Sequence, residues 1–396
     1  MIGARDIGQQ KSDDGSRGWV QSTPECTTLE RFPPDDEFHV NNGRMTGLPQ
    51  LEWYCFPEGC RLWRGTRAPT PAEMRDEGVS VSFDGAEHRP SRFDGVLGAP
   101  ASFSWFVFSS QGTDVCRMVK TYCTLVRFYV PAPTGVDPTQ DDYAQVLMGG
   151  GGAKGGRSGT GGGGKARLWV PVGICITTTL PIVGVVEEIL VRIITAVASR
   201  PSDDAGTSAT DPLTGAEGSS SSPGGMGLAS RVYDLMQRDL YHLIVNAGTP
   251  IPGVVNCSVP FLDGERLRIT VPPPSGLPPL PHGGCVAATC RLLGAEGLTL
   301  LLAAALTEHH ILIHSDDVAA VAMVAEVVTA LLFPFAWQHA YIPVLPRDVL
   351  EVLEAPYPIF VGVPTVNLKL VDKSVLSEIV VVDLDDVASF TEYDAR

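Results

Sequence analysis

Residues 159–166 read Gly-Thr-Gly-Gly-Gly-Gly-Lys-Ala, which fits G-x-G-x-x-G and the first seven positions of G-x-x-x-x-G-K-[ST]. In that chemistry a glycine turn leaves a strand and opens a helix, whose free amides hold a phosphate. The surroundings argue against it. The preceding text, Asp-Asp-Tyr-Ala-Gln-Val-Leu-Met, is not strand-like, and the residues after Lys165 read as a strand, not a helix. The position that would offer a hydroxyl to Mg²⁺ is Ala166. Eleven of the 16 residues from Gly149 to Gly164 are glycine, a composition that matches such motifs by chance and reads as a flexible linker.

Other reactive groupings are sparse. His309, His310 and His314 cluster, and on a strand His310 and His314 face one way; with Glu308 they could hold a metal. No H-E-x-x-H or third fixed ligand supports that, and strand-end histidines are the simpler reading. There is no G-x-S-x-G. Glu187 and Glu188 are adjacent, so on a helix they diverge and form no facing carboxylate pair. Lys and Arg do not alternate with aromatics as in nucleic-acid binders. No catalytic residue, cofactor or metal is expected.

Composition bounds the rest. The chain has 396 residues, 44% hydrophobic, enough for two to three domains with a large core. A net charge of −16 repels phosphate backbones and anionic lipid, so no nucleic-acid partner is expected. Nine cysteines without a C-x-x-C read as reduced core thiols, and the amino terminus shows no apolar signal core. A cytoplasmic protein is expected. Leu168–Val186 runs 19 residues without a charge, the length of a membrane span, but Pro171, Gly173, Pro181 and three threonines favour a buried strand followed by a helix. No transmembrane segment is expected.

The elements that must position any site fall into blocks. Residues 1–50 are polar, lack periodicity and are expected to be disordered. Residues 51–148 form a first lobe: Leu51 opens a strand-like run, and Ser102–Ser110 alternates before a QGTD turn and a second long strand from Cys116. A linker at 149–165 leads to a second lobe at 166–390, itself interrupted by a Ser/Gly tract near 199–227. From Gly297, helices and strands alternate with short turns, which predicts a mostly parallel sheet. The helix from Asp317 to Leu332 is apolar nearly all round, interrupted by Glu326 and Thr329, so it is expected at the centre of that lobe.

Within this block, Leu306–Pro364 closely resembles the core segment of the DENN-domain family. The resemblance rests on Leu306, Thr307, Glu308, Ile311, Leu312, Ile313 and Ser315. It continues through Pro334, Phe335, Trp337, Gln338, Tyr341, Ile342, Pro343, Leu345 and Pro346, then Pro356, Pro358 and Gly362. The text from Val380 is similar to the closing strand of that segment, and Leu51–Pro131 to the upstream part. The resemblance implies a bilobal α/β fold, with a longin-like amino-terminal lobe and a mostly parallel α/β carboxy-terminal lobe. The family's downstream helical segment is expected to begin where this sequence ends, at Arg396, and is read as absent.

The resemblance also implies an activity without bond-making chemistry: guanine nucleotide exchange on a Rab-family small GTPase in membrane trafficking, by remodelling the switch regions. Peripheral recruitment to vesicle membranes is compatible with it. The alternatives are a DENN-like scaffold that binds the GTPase without exchange, and a hydrolase or nucleotide-binding enzyme. Trp337, Gln338 and Tyr341 are the first contact candidates, because Trp and Tyr combine large area with a polar handle. Trp337 reads equally as a plug beneath the sheet. Glu308, Ser315 and Asp316 flank the neighbouring strand and are second candidates, although Asp316 and Asp317 also suit a helix N-cap.

Overall fold

A computed structural model describes residues 2–4, 18–19, 26–28, 51–79, 101–111, 118–131, 167–199, 239, 250–253, 256–262, 266–273, 276–281 and 283–386. The phosphate-like stretch, the linker at 149–165 and residues 200–227 lie outside these.

The first lobe is built on an antiparallel sheet. Three short strands, β1 (Ile2–Ala4), β2 (Gly18–Trp19) and β3 (Cys26–Thr28), come from the segment expected to be disordered. β1 pairs with β3 and β7 (Arg167–Thr178), and β2 pairs with β4 (Trp63–Gly65). Strands this short are held by the edge they extend, not by their own periodicity, which is why no pattern announced them. Leu51–Cys55, expected as a strand, is helix α1. Its Tyr54 stacks on Phe106 at 5.9 Å. A short apolar run does not reveal its period, and here the packing decides.

α2 (Pro71–Asp76) comes next, and β5 (Ala101–Gln111) and β6 (Met118–Pro131) form the expected hairpin. β6 then pairs with β7 from Tyr122↔Thr178 to Pro131↔Trp169. The first lobe therefore does not end before residue 166. β7 and the helix after it, α3 (Val183–Ser199), carry Val170, Ile174, Ile189 and Leu190 into its core. The 19-residue uncharged run is thus a strand and a helix start.

A small ribbon, β8 (Cys257–Pro260) against β9 (Arg266–Ile269), packs Leu267 and Ile269 into the core of the first lobe, and the second lobe then opens with α4 (Cys285–Leu306). α4 starts well before Gly297. Gly294 interrupts it at φ 66°, ψ 179°, and the sequence pattern was visible only beyond that break. α4 is also long and apolar enough to cross a membrane by length and composition, and one stripe, including Leu293, Leu301 and Ala305, is buried. Next along the chain are β10 (Ile311–Ser315), α5 (Val318–Leu331), β11 (Ala340–Ile342), a 3₁₀ stretch at Arg347–Glu354, β12 (Ile359–Pro364), α6 (Thr365–Leu368), α7 (Lys373–Leu376) and β13 (Val380–Asp383). The sheet order is β11-β12-β10-β13, all parallel. The chain is bilobal α/β, antiparallel in the first lobe and parallel in the second.

α5 joins the lobes. Asp317 caps it, accepting from the Ala319 N–H at 2.9 Å. Val321, Val324, Ala325 and Val328 pack in the core of the second lobe, while Val318 and Ala322 pack in that of the first. Both faces of the helix are therefore wanted by apolar partners, which explains its near-uniform apolarity. Leu331, at the last turn of this otherwise mostly buried helix, is exposed. Gly362 of β12 permits the close approach of strand and helix: a Cβ there would stand 2.1 Å from the Pro343 carbonyl oxygen and 2.2 Å from Val321 Cγ1. A second seam forms at Pro57, whose carbonyl accepts from the Arg347 N–H at 3.0 Å and Asn367 Nδ2 at 2.9 Å.

Candidate docking surfaces at the two ends of the parallel sheet

Because β10–β13 run parallel, the sheet has an amino end and a carboxyl end, about 17 Å apart for a five-residue strand. The six sequence candidates divide between them. Glu308 precedes β10, and Trp337 and Gln338 precede β11, so all three lie at the amino end. Ser315 and Asp316 lie at the carboxyl end, where β10 turns into α5.

Tyr341 lies at neither end. It is 8% exposed, and its hydroxyl donates to Glu326 Oε1 at 2.6 Å. Burial, and then the Glu326 charge, push its phenol well above the usual tyrosine range. The polar handle that recommended Tyr341 as a contact is spent internally. Glu326, taken in the sequence for an interruption of the apolar helix, is the partner that a buried tyrosine requires. Lys120 of β6 reaches the same carboxylate, with Nζ 2.9 and 3.0 Å from its oxygens and 5.3 Å from the Tyr341 ring centroid.

Trp337 is half-buried. Its indole N–H donates to the Ala340 carbonyl at 3.1 Å, and its ring meets Phe360 edge-on at 5.8 Å. That geometry is a plug at the amino end of the sheet. Gln338 is exposed and donates to the Ala336 carbonyl at 3.1 Å. Glu308 is exposed at φ 55°, 3.3 Å from His339 Nε2, which ties the approach to β10 to the approach to β11.

Around these polar residues stand apolar ones that the sequence did not single out as contacts. Phe335 is 70% exposed and Phe333 55%, with Leu331 and Leu306 also exposed. Leu306 and Leu331 close α4 and α5, and Phe333 and Phe335 follow α5 in the turn at the amino end of the sheet. An exposed apolar patch rimmed by polar groups marks a protein contact more often than a solvated surface.

The carboxyl end is polar. Ser315 is buried; its hydroxyl donates to Asp385 Oδ1 at 2.6 Å and accepts from the Asp317 N–H at 3.0 Å. Asp316 is exposed, and its N–H donates to Asp385 Oδ2 at 2.8 Å. Burial and the neighbouring Asp385 push its carboxyl above the usual range. The combination of His310, His314 and Glu308 considered for a metal is not assembled: Glu308 is at the other end, and His310 Nε2 meets the Ala355 carbonyl at 3.1 Å. Among the described residues, the group that brings metal-ligating atoms within 4.8 Å is His314, Asp383 and Asp385. Its members have structural uses. Asp385 closes the turn on Ser315 and Asp316, and Asp383 Oδ1 accepts from the Asp385 and Asp386 N–H groups. His314 Nδ1 lies 3.2 Å from Thr365 Oγ1, and burial lowers its pKa against the pull of Asp383, Asp385 and Asp316.

The family model for the DENN (AEX-3) domain matches residues 169–387, more than half of the chain. The chain belongs to the DENN-domain family. The DENN match begins inside β7 and runs past β13, so it takes in part of the first lobe's sheet, the joining helix α5 and the whole parallel sheet. Among curated proteins, human DENN domain-containing protein 2A is 34% identical over 92 residues, which cover 23% of this chain and 9% of that protein. The likeness to that relative thus concerns a small part of its length.

Proposed function

We propose that this DENN-family chain is a guanine nucleotide exchange factor for a Rab-type small GTPase, working in the cytoplasm in membrane traffic. The GTPase docks at the amino end of the parallel sheet, on Phe333, Phe335 and Leu331, with Gln338 and Glu308 as the polar rim. The observation that carries the reading is the exposure of two phenylalanines beside the sheet of a DENN domain. Large aromatic side chains held in water are the residue type that anchors protein partners.

Exchange needs no nucleophile or general base on this side of the complex. The factor binds the nucleotide-free GTPase more tightly than the loaded form, and by linkage it weakens nucleotide affinity by the same factor. A rigid two-lobed body suits that task, because docking energy is then spent on the GTPase and not on ordering the factor. The α5 joint and the Pro57 seam supply such rigidity.

The test is release of labelled GDP across a panel of Rab GTPases with the chain at substoichiometric concentration. Accelerated release from at least one member is expected. Tight binding without acceleration would make the chain a scaffold, and neither binding nor release across the panel would remove the reading.

A further inference from the structure

Between the ribbon strand β9 and α4, residues 277–281 read Leu-Pro-Pro-Leu-Pro. Proline fixes its own φ near −65° and drives the residue before it into the extended region. Here each of the five residues is a proline or precedes one. These constraints favour a short polyproline II helix, with three residues per turn and three edges. Pro281 is buried and Pro278 half-buried, so the edge they share lies against the protein. The other two edges carry the open residues: Leu277 and Pro279 are exposed, and Leu280, one turn from Leu277, is half-buried. Leu277 is 76% exposed, more than any other large hydrophobic residue among those described.

The flanks leave this strut open. A Cβ added at Gly283 or Gly284 would meet nothing within 4 Å, and Gly276 and Pro273 are exposed. From Ile269 to Cys290 there is no Asp, Glu, Lys or Arg, although the chain as a whole is 19% charged. Whatever reads the segment reads proline rings and leucine side chains without an ion pair.

We propose that Leu277–Pro281 is a docking site for a small domain with an uncharged, aromatic-lined polyproline groove, of the WW kind. Such grooves take two edges of a polyproline helix and leave the third outside. In this chain the third edge is already buried, so the ligand is pre-ordered and the entropy cost of binding is reduced. SH3-type grooves, which add an acidic pocket for an Arg or Lys beside the prolines, find neither between Ile269 and Cys290.

The full chain is titrated into labelled WW-type and SH3-type domains, with fluorescence anisotropy as the readout. Saturable binding to at least one WW-type domain is expected. The double variant Leu277→Ala/Pro279→Ala should weaken it by about tenfold or more. Because both side chains point outward, the variant's melting temperature should match the wild type. The proposal is overturned if no WW-type domain binds more tightly than about 1 mM, or if the double variant binds equally well. It is also overturned if binding is confined to SH3-type domains. A WW-type domain that binds a synthetic 275–283 peptide but not the folded chain would show the edges to be inaccessible, and would equally refute it.

Discussion

Lys120 and Glu326 are 206 positions apart in sequence, yet their side chains meet at 2.9 Å across the two lobes. Glu326 is 2% exposed, while the Lys120 side chain keeps 35% of its surface in water. The lysine can thus be rehydrated if its partner is lost, but the carboxylate cannot. Removing one partner of a buried pair costs more than the pair contributes, because the remaining charge is stranded. Lys120→Met should therefore destabilise the chain by about 2–4 kcal/mol, and Glu326→Gln by less, about 1–2 kcal/mol, since a neutral amide still accepts from Tyr341. Urea denaturation checks the order; an equal or reversed order would remove the asymmetry.

Tyr341→Phe leaves Glu326 Oε1 without its 2.6 Å donor. The expected loss is about 1–3 kcal/mol of stability. Since the ring faces inward, GTPase binding by the folded protein should be unchanged. A variant of full stability that binds the GTPase poorly would return Tyr341 to the contact surface.

Trp337→Ala tests the plug. Its contact with Phe360 and its bond to the Ala340 carbonyl predict a loss of about 2–4 kcal/mol, below the full cost for a buried Trp because the ring is only half-buried. Exchange activity should fall only in proportion to the folded fraction. Unchanged stability with lost activity would make Trp337 an anchor instead.

His314 gives the chain a pH dependence. Burial holds its folded pKa below the ordinary value of 6.5, so the unfolded chain takes up the proton first. Its contribution to stability is complete above about 6.5 and is lost as pH falls from there through the folded value. Asp316, pushed upward, acts in the opposite direction, but in a window that opens near its ordinary 3.8. His314→Asn, which keeps a nitrogen near Thr365, should flatten the decline in denaturation free energy between about pH 7 and pH 5. An undiminished slope in that variant would assign the dependence to other groups.

Much of the second lobe was legible in the sequence because its signals are local. Asp317 followed by an apolar run broken only at Glu326 and Thr329 announces a capped core helix, and the short apolar runs at Ile311 and Ile359 announce buried parallel strands. The first lobe was harder to read. β7 finds its partner β6 across the glycine tract, so the lobe boundary depends on a nonlocal pairing that composition hides. The site was only half legible. Glu326 looks like an exposed interruption unless Lys120 and Tyr341 are known to meet it. Phe333 and Phe335 look like core residues, because apolar side chains are expected inside. Among the described residues, nothing in the local text distinguishes Phe335 at the surface from Phe360 within the sheet.

If exchange depends on the apolar ledge at the amino end of the parallel sheet, removing the ledge must remove exchange. The decisive measurement is GDP release from the responsive Rab, comparing the wild-type chain with the double variant Phe333→Ala/Phe335→Ala. Both side chains are mostly in water, so the variant should keep its melting temperature within a few degrees. Its exchange rate at subsaturating concentration should drop about 30-fold or more, the loss of roughly 2 kcal/mol expected of anchor residues. A folded variant that catalyses release as fast as the wild type would rule the ledge out as the docking surface.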